Sequence, residues 1–123
     1  MRILLWHGWL LEGSGSNVAT ARVAEHLRAA GHDVLLVCQE RHPERYPWID
    51  AFGAVDEGGP SQLTDNAAAS SSGRCVLLRP QIGSMIPVFV IDRYEGFDRV
   101  GRFVDLSEDE LESYLRTNVD ALR

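Results

Sequence analysis

The first forty residues constrain the fold more than any other part of the chain. Arg2 to Trp6 is a short apolar run, and Val34 to Cys38 is a second. Between them lie a glycine-bearing loop, His7 to Ser16, and a segment with small or apolar residues at Val18, Ala21, Ala24 and Leu27. That spacing follows the helical period and not the strand period. Ser16 or Asn17 stands where a helix cap belongs, and Gly31 supplies the left-handed residue that ends the helix. Strand, glycine loop, helix, strand is the order of two parallel strands joined by a right-handed crossover. Apolar runs without alternation are strands covered on both faces. The expected fold class is therefore α/β: a partial doubly wound, Rossmann-like parallel sheet in three layers, α/β/α.

The rest of the chain is less regular. His42 to Asp50 is polar, carries Pro43 and Pro47, and reads as a loop. Ala51 to Val55 is a third, less apolar strand. Residues 56–73 are poor in apolar side chains and rich in Gly, Ser, Ala and Asn, and read as a flexible surface segment. Cys75 to Leu78 and Pro87 to Ile91 are strand-like. Their connection is too short for a helical crossover, so if they pair with each other the pair is antiparallel. An added antiparallel strand pair is thus part of the expected fold. Asp92 to Arg102 reads as a polar, aromatic loop. Ser107 and Glu110 then form a capping box. The helix behind it presents Leu111, Leu115, Val119 and Leu122 one turn apart, the expected buried face.

Doubly wound folds alternate strands with helices, and here a helix is the last element. Residues 1–123 therefore read as one incomplete domain, a fragment of a longer protein. Uncovered strand edges and apolar faces recruit other chains. A homodimer of the fragment is expected, through edge strands or through Leu111, Leu115, Val119 and Leu122.

Charge narrows the partners. Asp and Glu number 18 against 12 basic residues, all of them Arg, for a net charge of -6. Such a chain repels a phosphate backbone, so no nucleic-acid partner is expected, and anionic membrane surfaces are disfavoured. No apolar run approaches the ~20 residues of a membrane span. The leader-like start, Met1 to Leu11, is interrupted by His7 and Gly8. Its cleavage-like Ala19-Thr20-Ala21 falls inside the helix pattern. Cys38 and Cys75 each lie in an apolar run and read as reduced, buried thiols, which suits a cytoplasmic protein. The four histidines and two cysteines match no metal-ligand spacing, and no cofactor is expected.

Two constellations can carry chemistry. The first is Gly13-Ser14-Gly15-Ser16-Asn17, between the first strand and the first helix. It is either a plain turn with a helix cap or an anion cradle. In a cradle, glycines admit a ligand close to the backbone, and free N–H groups at the positive end of the helix dipole meet it. Its place after a strand and before a helix favours phosphate or diphosphate contact. A dinucleotide fingerprint would need a glycine at Val18, and a P-loop would need a Lys, which the chain lacks. Glu40, after the second strand, is placed for a ribose hydroxyl but reads better as a solvated loop carboxylate. The second constellation is Asp92-Arg93-Tyr94-Glu95-Gly96-Phe97. Arg93 can bind a carboxylate or phosphate, and Tyr94 and Phe97 can stack on a sugar or base. A structural loop with a local Arg–carboxylate pair fits the same residues.

Three segments together resemble the amino-terminal domain of GT-B-fold glycosyltransferases of the family 4 type. They are Gly13-Ser14-Gly15-Ser16, the stretch from Leu27 through Gly31-His32-Asp33-Val34, and Pro87 to Phe97. The resemblance implies two Rossmann-like domains facing a cleft, the first binding the acceptor. It implies that Gly13, Ser14, Gly15 and Ser16 face the donor diphosphate, with Arg93, Tyr94 and Glu95 near the cleft; Asn17, next in the same loop, is a candidate binding residue from its place in the first constellation. The implied partners are a nucleotide-diphosphate sugar and a sugar or other hydroxyl acceptor. The nucleotide-sugar domain and its paired glutamates lie outside this sequence, so the chain alone is expected to be inactive. A stand-alone nucleotide-binding or interaction module, or an NAD-binding Rossmann domain, are the other readings.

Overall fold

The computed structural model describes residues 1–66, 73–89 and 94–123. The first forty residues fold as their pattern dictates. Arg2–Trp6 (β1) and Asp33–Val37 (β2) pair in parallel, Leu4 beside Leu35 and Trp6 beside Val37. Helix α1, Gly15–Ala29, connects them. Ala21 and Ala24 seat α1 on Val34, Leu36, Cys75 and Leu77, which with Leu11 and Ile49 form the buried core. Small side chains on that face let the helix lie close to the strands. Gly31, at φ +92°, turns the chain from α1 into β2.

Two local expectations for α1 are corrected. The cap is Ser14 and not Ser16 or Asn17: its extended backbone precedes the first turn, and its side chain accepts from the Asn17 N–H. Val18 is exposed, and the buried flank carries Asn17 and Arg28. Both are polar groups withdrawn from water only because they have specific partners, described below.

Further strands are β3 (Ala51–Asp56), β4 (Gly59–Pro60), β5 (Thr64–Asp65), β6 (Arg74–Pro80), β7 (Met85–Val88) and β8 (Arg99–Arg102). The main sheet runs β1-β2-β6-β3-β4, with β5 also on β3. β6 lies between β2 and β3 and is parallel to both. This overturns the expected antiparallel pair of Cys75–Leu78 with Pro87–Ile91. β2 and β3 each offer an edge, and between them β6 buries Cys75 and Leu77. Pro80 closes β6, Gly83 turns at φ +86°, and β7 leaves to pair in parallel with β8. Ile91 lies outside the described residues. The antiparallel pairs that do occur are β3 with β4 and with β5. β4 and β5 fall within the segment 56–73 that reads from sequence as flexible; 67–72 are outside the described residues. β8 likewise lies where a loop was expected. Among the described residues the result is a mixed α/β fold with a mostly parallel sheet and two α-helices.

Helix α2, Glu108–Ala121, starts at the capping box of Ser107 and Glu110. It does not bury the leucine stripe. Leu115, Val119 and Leu122 are exposed, Leu111 is half-buried, and the buried residues are Tyr114 and Asn118. The reason is hydrogen bonding. Trp6 Nε1 donates to Asn118 Oδ1 at 3.1 Å, and the Asn118 amide donates to the Tyr114 carbonyl at 2.9 Å. The Tyr114 ring meets Phe103 edge to face at 5.9 Å. Trp6 alternates with Leu5, which packs into the core under α1, so α2 approaches from the other side of β1. Among the described residues, no helix is long and apolar enough to cross a membrane.

Candidate functional site

The carboxyl ends of parallel strands are where open α/β sheets hold ligands. Here that edge is built on buried polar residues. His7, directly after β1, is 7% exposed, and its Nε2 lies 2.9 Å from Asn17 Oδ1. An amide oxygen can only accept, so Nε2 is the donor. The Asn17 amide donates to the Glu12 carbonyl at 2.7 Å. Asn17 thus ties the first turn of α1 to the glycine loop and has no side-chain atom to spare for a ligand.

Glu40 overturns its reading as a solvated carboxylate. It is 3% exposed and accepts from the N–H of Leu11 at 3.0 Å and of His42 at 2.9 Å. One carboxylate therefore fastens the loop after β1 to the loop after β2, which leaves it unavailable to a ribose. Burial, then Glu40, pushes the Tyr46 hydroxyl above its ordinary pKa. Gln39 reinforces the same junction: its N–H donates to the Trp9 carbonyl and its amide to the Pro80 carbonyl, both at 2.9 Å.

Over this base lies an open groove of about 720 Å³, with Leu10, Glu12 and Gly13 on one side and Tyr94, Glu95 and Phe97 on the other. The two constellations read from sequence meet here through Gly13, Tyr94 and Glu95. Gly13 has φ +95° and open space where a Cβ would stand, and Gly15 is equally open. Ser14 and Ser16 join through their hydroxyls at 3.1 Å at the start of α1. The N–H groups of Gly15 and Ser16 have no acceptor among the described residues. Arg93 and Asp92 lie outside the described residues.

The far side of the groove is held by residues not singled out from sequence. Arg41 Nη2 donates to the Gly96 carbonyl at 3.2 Å, and its guanidinium stacks 4.5 Å from the Phe97 ring centre. Gly96, at φ +84°, also makes room for that side chain: a Cβ there would stand 2.8 Å from Arg41 Nε. His42 Nε2 lies 2.9 Å from Glu95 Oε1, and its Nδ1 lies 3.2 Å from Glu44 Oε1. Two carboxylates on two ring nitrogens require both nitrogens protonated, the imidazolium form. Hydrogen bonds from Glu95 and then Glu44 accordingly raise the His42 pKa above its ordinary value.

The sign of the resulting pH effect follows from that raised value. The clamp between His42 and Glu95 is complete below the ordinary histidine pKa and is lost as pH rises through the raised one. Glu95→Gln should move the His42 titration back toward its ordinary value, read from the Cε1–H resonance across pH 5 to 9. An unchanged midpoint would mean that Glu95 does not hold the ring in solution. No family model, curated protein or solved structure matches the chain.

Proposed function

We propose that this chain is the amino-terminal, acceptor-side part of a cytoplasmic glycosyltransferase. The whole enzyme would transfer a sugar from a nucleotide-diphosphate donor to an acceptor hydroxyl. In this reading the sheet with α1 and α2 is one Rossmann-like, three-layer domain, and the donor's nucleotide is held by a second domain. The observation that carries it is the meeting of Gly13 with Tyr94 and Glu95 across one groove at the carboxyl edge of the sheet. At the same edge, the N–H groups of Gly15 and Ser16, without an acceptor among the described residues, open a helix of 15 residues.

The chemistry asked of these residues is modest. Glycosyl transfer leaves negative charge on the departing diphosphate. Preset N–H donors and the positive end of α1 stabilise that charge without reorganising. Gly13 and Gly15 leave the backbone bare, so an anion can come close. Glu12 and Glu95 would oppose it, but each faces a cation, Arg45 at 3.8 Å and His42 at 2.9 Å. Tyr94 and Phe97 offer aromatic faces to an acceptor sugar on the opposite wall.

The test is backbone amide NMR with uridine diphosphate, a uridine diphosphate sugar, and NAD as separate titrants. Expected are saturable shifts at Gly13 to Asn17 with the first two, and no sugar turnover by this chain. Gly15→Val, which meets open space and so preserves the fold, should weaken binding about ten-fold by blocking close approach. Unmoved amides at saturating diphosphate would sink the phosphate-loop reading. Stronger binding of NAD would favour a dinucleotide domain instead.

A further inference from the structure

A second feature at the same sheet edge lies beside the groove and shares Arg41 with its far wall. Arg41 follows β2, and Arg79 lies near the end of β6, two strands registered through Val37 and Leu78. Both arginines line one cavity of about 290 Å³, faced by Ser61, Gln62 and Thr64. Among the described residues, neither has a carboxylate oxygen within 4.0 Å. Arg79 Nη1 donates to the Glu40 carbonyl and Arg41 Nη2 to the Gly96 carbonyl, each at 3.2 Å. The Nε of each is shut away from water and has no acceptor among the described residues.

That arrangement is costly as it stands. A donor withdrawn from water and left unbonded loses its hydration without return. Two like charges near each other add repulsion: burial and then Arg79 pull the Arg41 pKa below its ordinary value. The neighbouring acids are engaged elsewhere. The Glu40 carboxylate accepts from Leu11 and His42, and Glu44, on the cavity wall, pairs with the His42 ring. Both side chains line the shared cavity, where an acceptor would meet guanidinium N–H groups that no carboxylate among the described residues satisfies.

We propose that Arg41 and Arg79 form an anion site whose ligand is a small-molecule phosphomonoester. Two guanidinium forks call for an acceptor with several oxygens and about two negative charges. A phosphomonoester carries about 1.5 to 2 at neutral pH and presents three acceptor oxygens. A carboxylate or a phosphodiester neutralises only one arginine. Polyanions are repelled by the chain's net charge of -6. The cavity admits the phosphate and a few further atoms, and Ser61, Gln62 and Thr64 supply hydroxyl and amide groups for them. The site stands whether or not the groove at Gly13 binds a donor.

Arginine Nε–H resonances in nitrogen-15 spectra read the site directly. Titrants are inorganic phosphate, glycerol 3-phosphate, acetate and chloride at matched ionic strength. Expected are saturable shifts at Arg41 and Arg79 with the two phosphates, and about ten-fold weaker effects with acetate. Arg41→Gln or Arg79→Gln should weaken phosphate binding about ten-fold or more, and Arg74→Gln should leave it unchanged. Equal responses to phosphate and chloride, or shifts spread evenly onto Arg2 and Arg74, would overturn the site. If Arg79→Gln fails to fold, the titration of the unaltered protein still decides. Because these signals come from Arg41 and Arg79 and not from Gly13 to Asn17, the two sites succeed or fail separately.

Discussion

Gly73→Ala is expected to destabilise the chain by about 3 kcal/mol or more, the upper end of what overpacking costs. A Cβ at Gly73 would stand 2.4 Å from the Arg28 carbonyl oxygen, 2.5 Å from the His32 carbonyl oxygen and 2.9 Å from the His32 nitrogen. All three are backbone atoms of the turn that closes α1 and enters β2, so no side chain can rotate away. Relief would require β6 to withdraw from β2, and with it the burial of Cys75 and Leu77. In thermal unfolding this corresponds to a drop of roughly 10 °C for a chain of this size. A variant that melts with the parent would mean the start of β6 stands farther from that turn than described.

The second large effect is expected at Asp50. Its carboxylate receives Arg28 Nε at 2.7 Å and Arg28 Nη2 at 2.6 Å, and the Cys75 N–H at 2.7 Å. One side chain thereby joins α1, β6 and the entry to β3. Asp50→Ala strips a carboxylate from an arginine whose side chain is 9% exposed. The expected cost is about 3 kcal/mol, the low end for breaking a buried pair, since Asp50 itself is 21% exposed. Burial alone would raise the Asp50 pKa, but the hydrogen bonds from Arg28 and Cys75 outweigh it and hold it below its ordinary value. A depressed folded pKa gives stability that is present above the unfolded value, about 3.9, and lost as pH falls through the folded one. The gap between parent and variant in urea unfolding should therefore be full at pH 7 and shrink below pH 4. A constant gap would assign the loss to packing and not to charge.

What the sequence discloses here depends on how local the cause is. β1, α1 and β2 are legible because each is set by its own residues: apolar runs, small residues at helical spacing, and Gly31. The capping box at Ser107 is legible for the same reason. The burial of α2 is not, because apolar spacing points to Leu111, Leu115, Val119 and Leu122. Asn118 is buried instead by a hydrogen bond from Trp6, 112 positions away. The place of β6 is equally hidden: an apolar strand states that it wants neighbours, not which ones. In the candidate groove, Gly13, Tyr94 and Glu95 were visible as residue types beside strand ends. His7 and Glu40 work through partners 10 and 29 positions away. Arg41 and Arg79 converge only because β6 settles next to β2, so nothing in either local stretch announces them.

The two thiols carry a further consequence. Cys38 and Cys75 are both buried and unpaired to each other, and burial pushes both up to about 12. Only the thiolate attacks an alkylating reagent. At pH 8 the closed protein offers almost none of it, and what little forms has no path to solvent. An opened chain, with thiols near 8.5, reacts at once. Cys75 on β6 and Cys38 just past β2 lie in the core that α1 and the loop after β1 cover, and that cover must lift for either to be reached. Each modified chain therefore records an opening of that core, and the rate of mass gain in native buffer follows how readily the helix layer leaves the sheet.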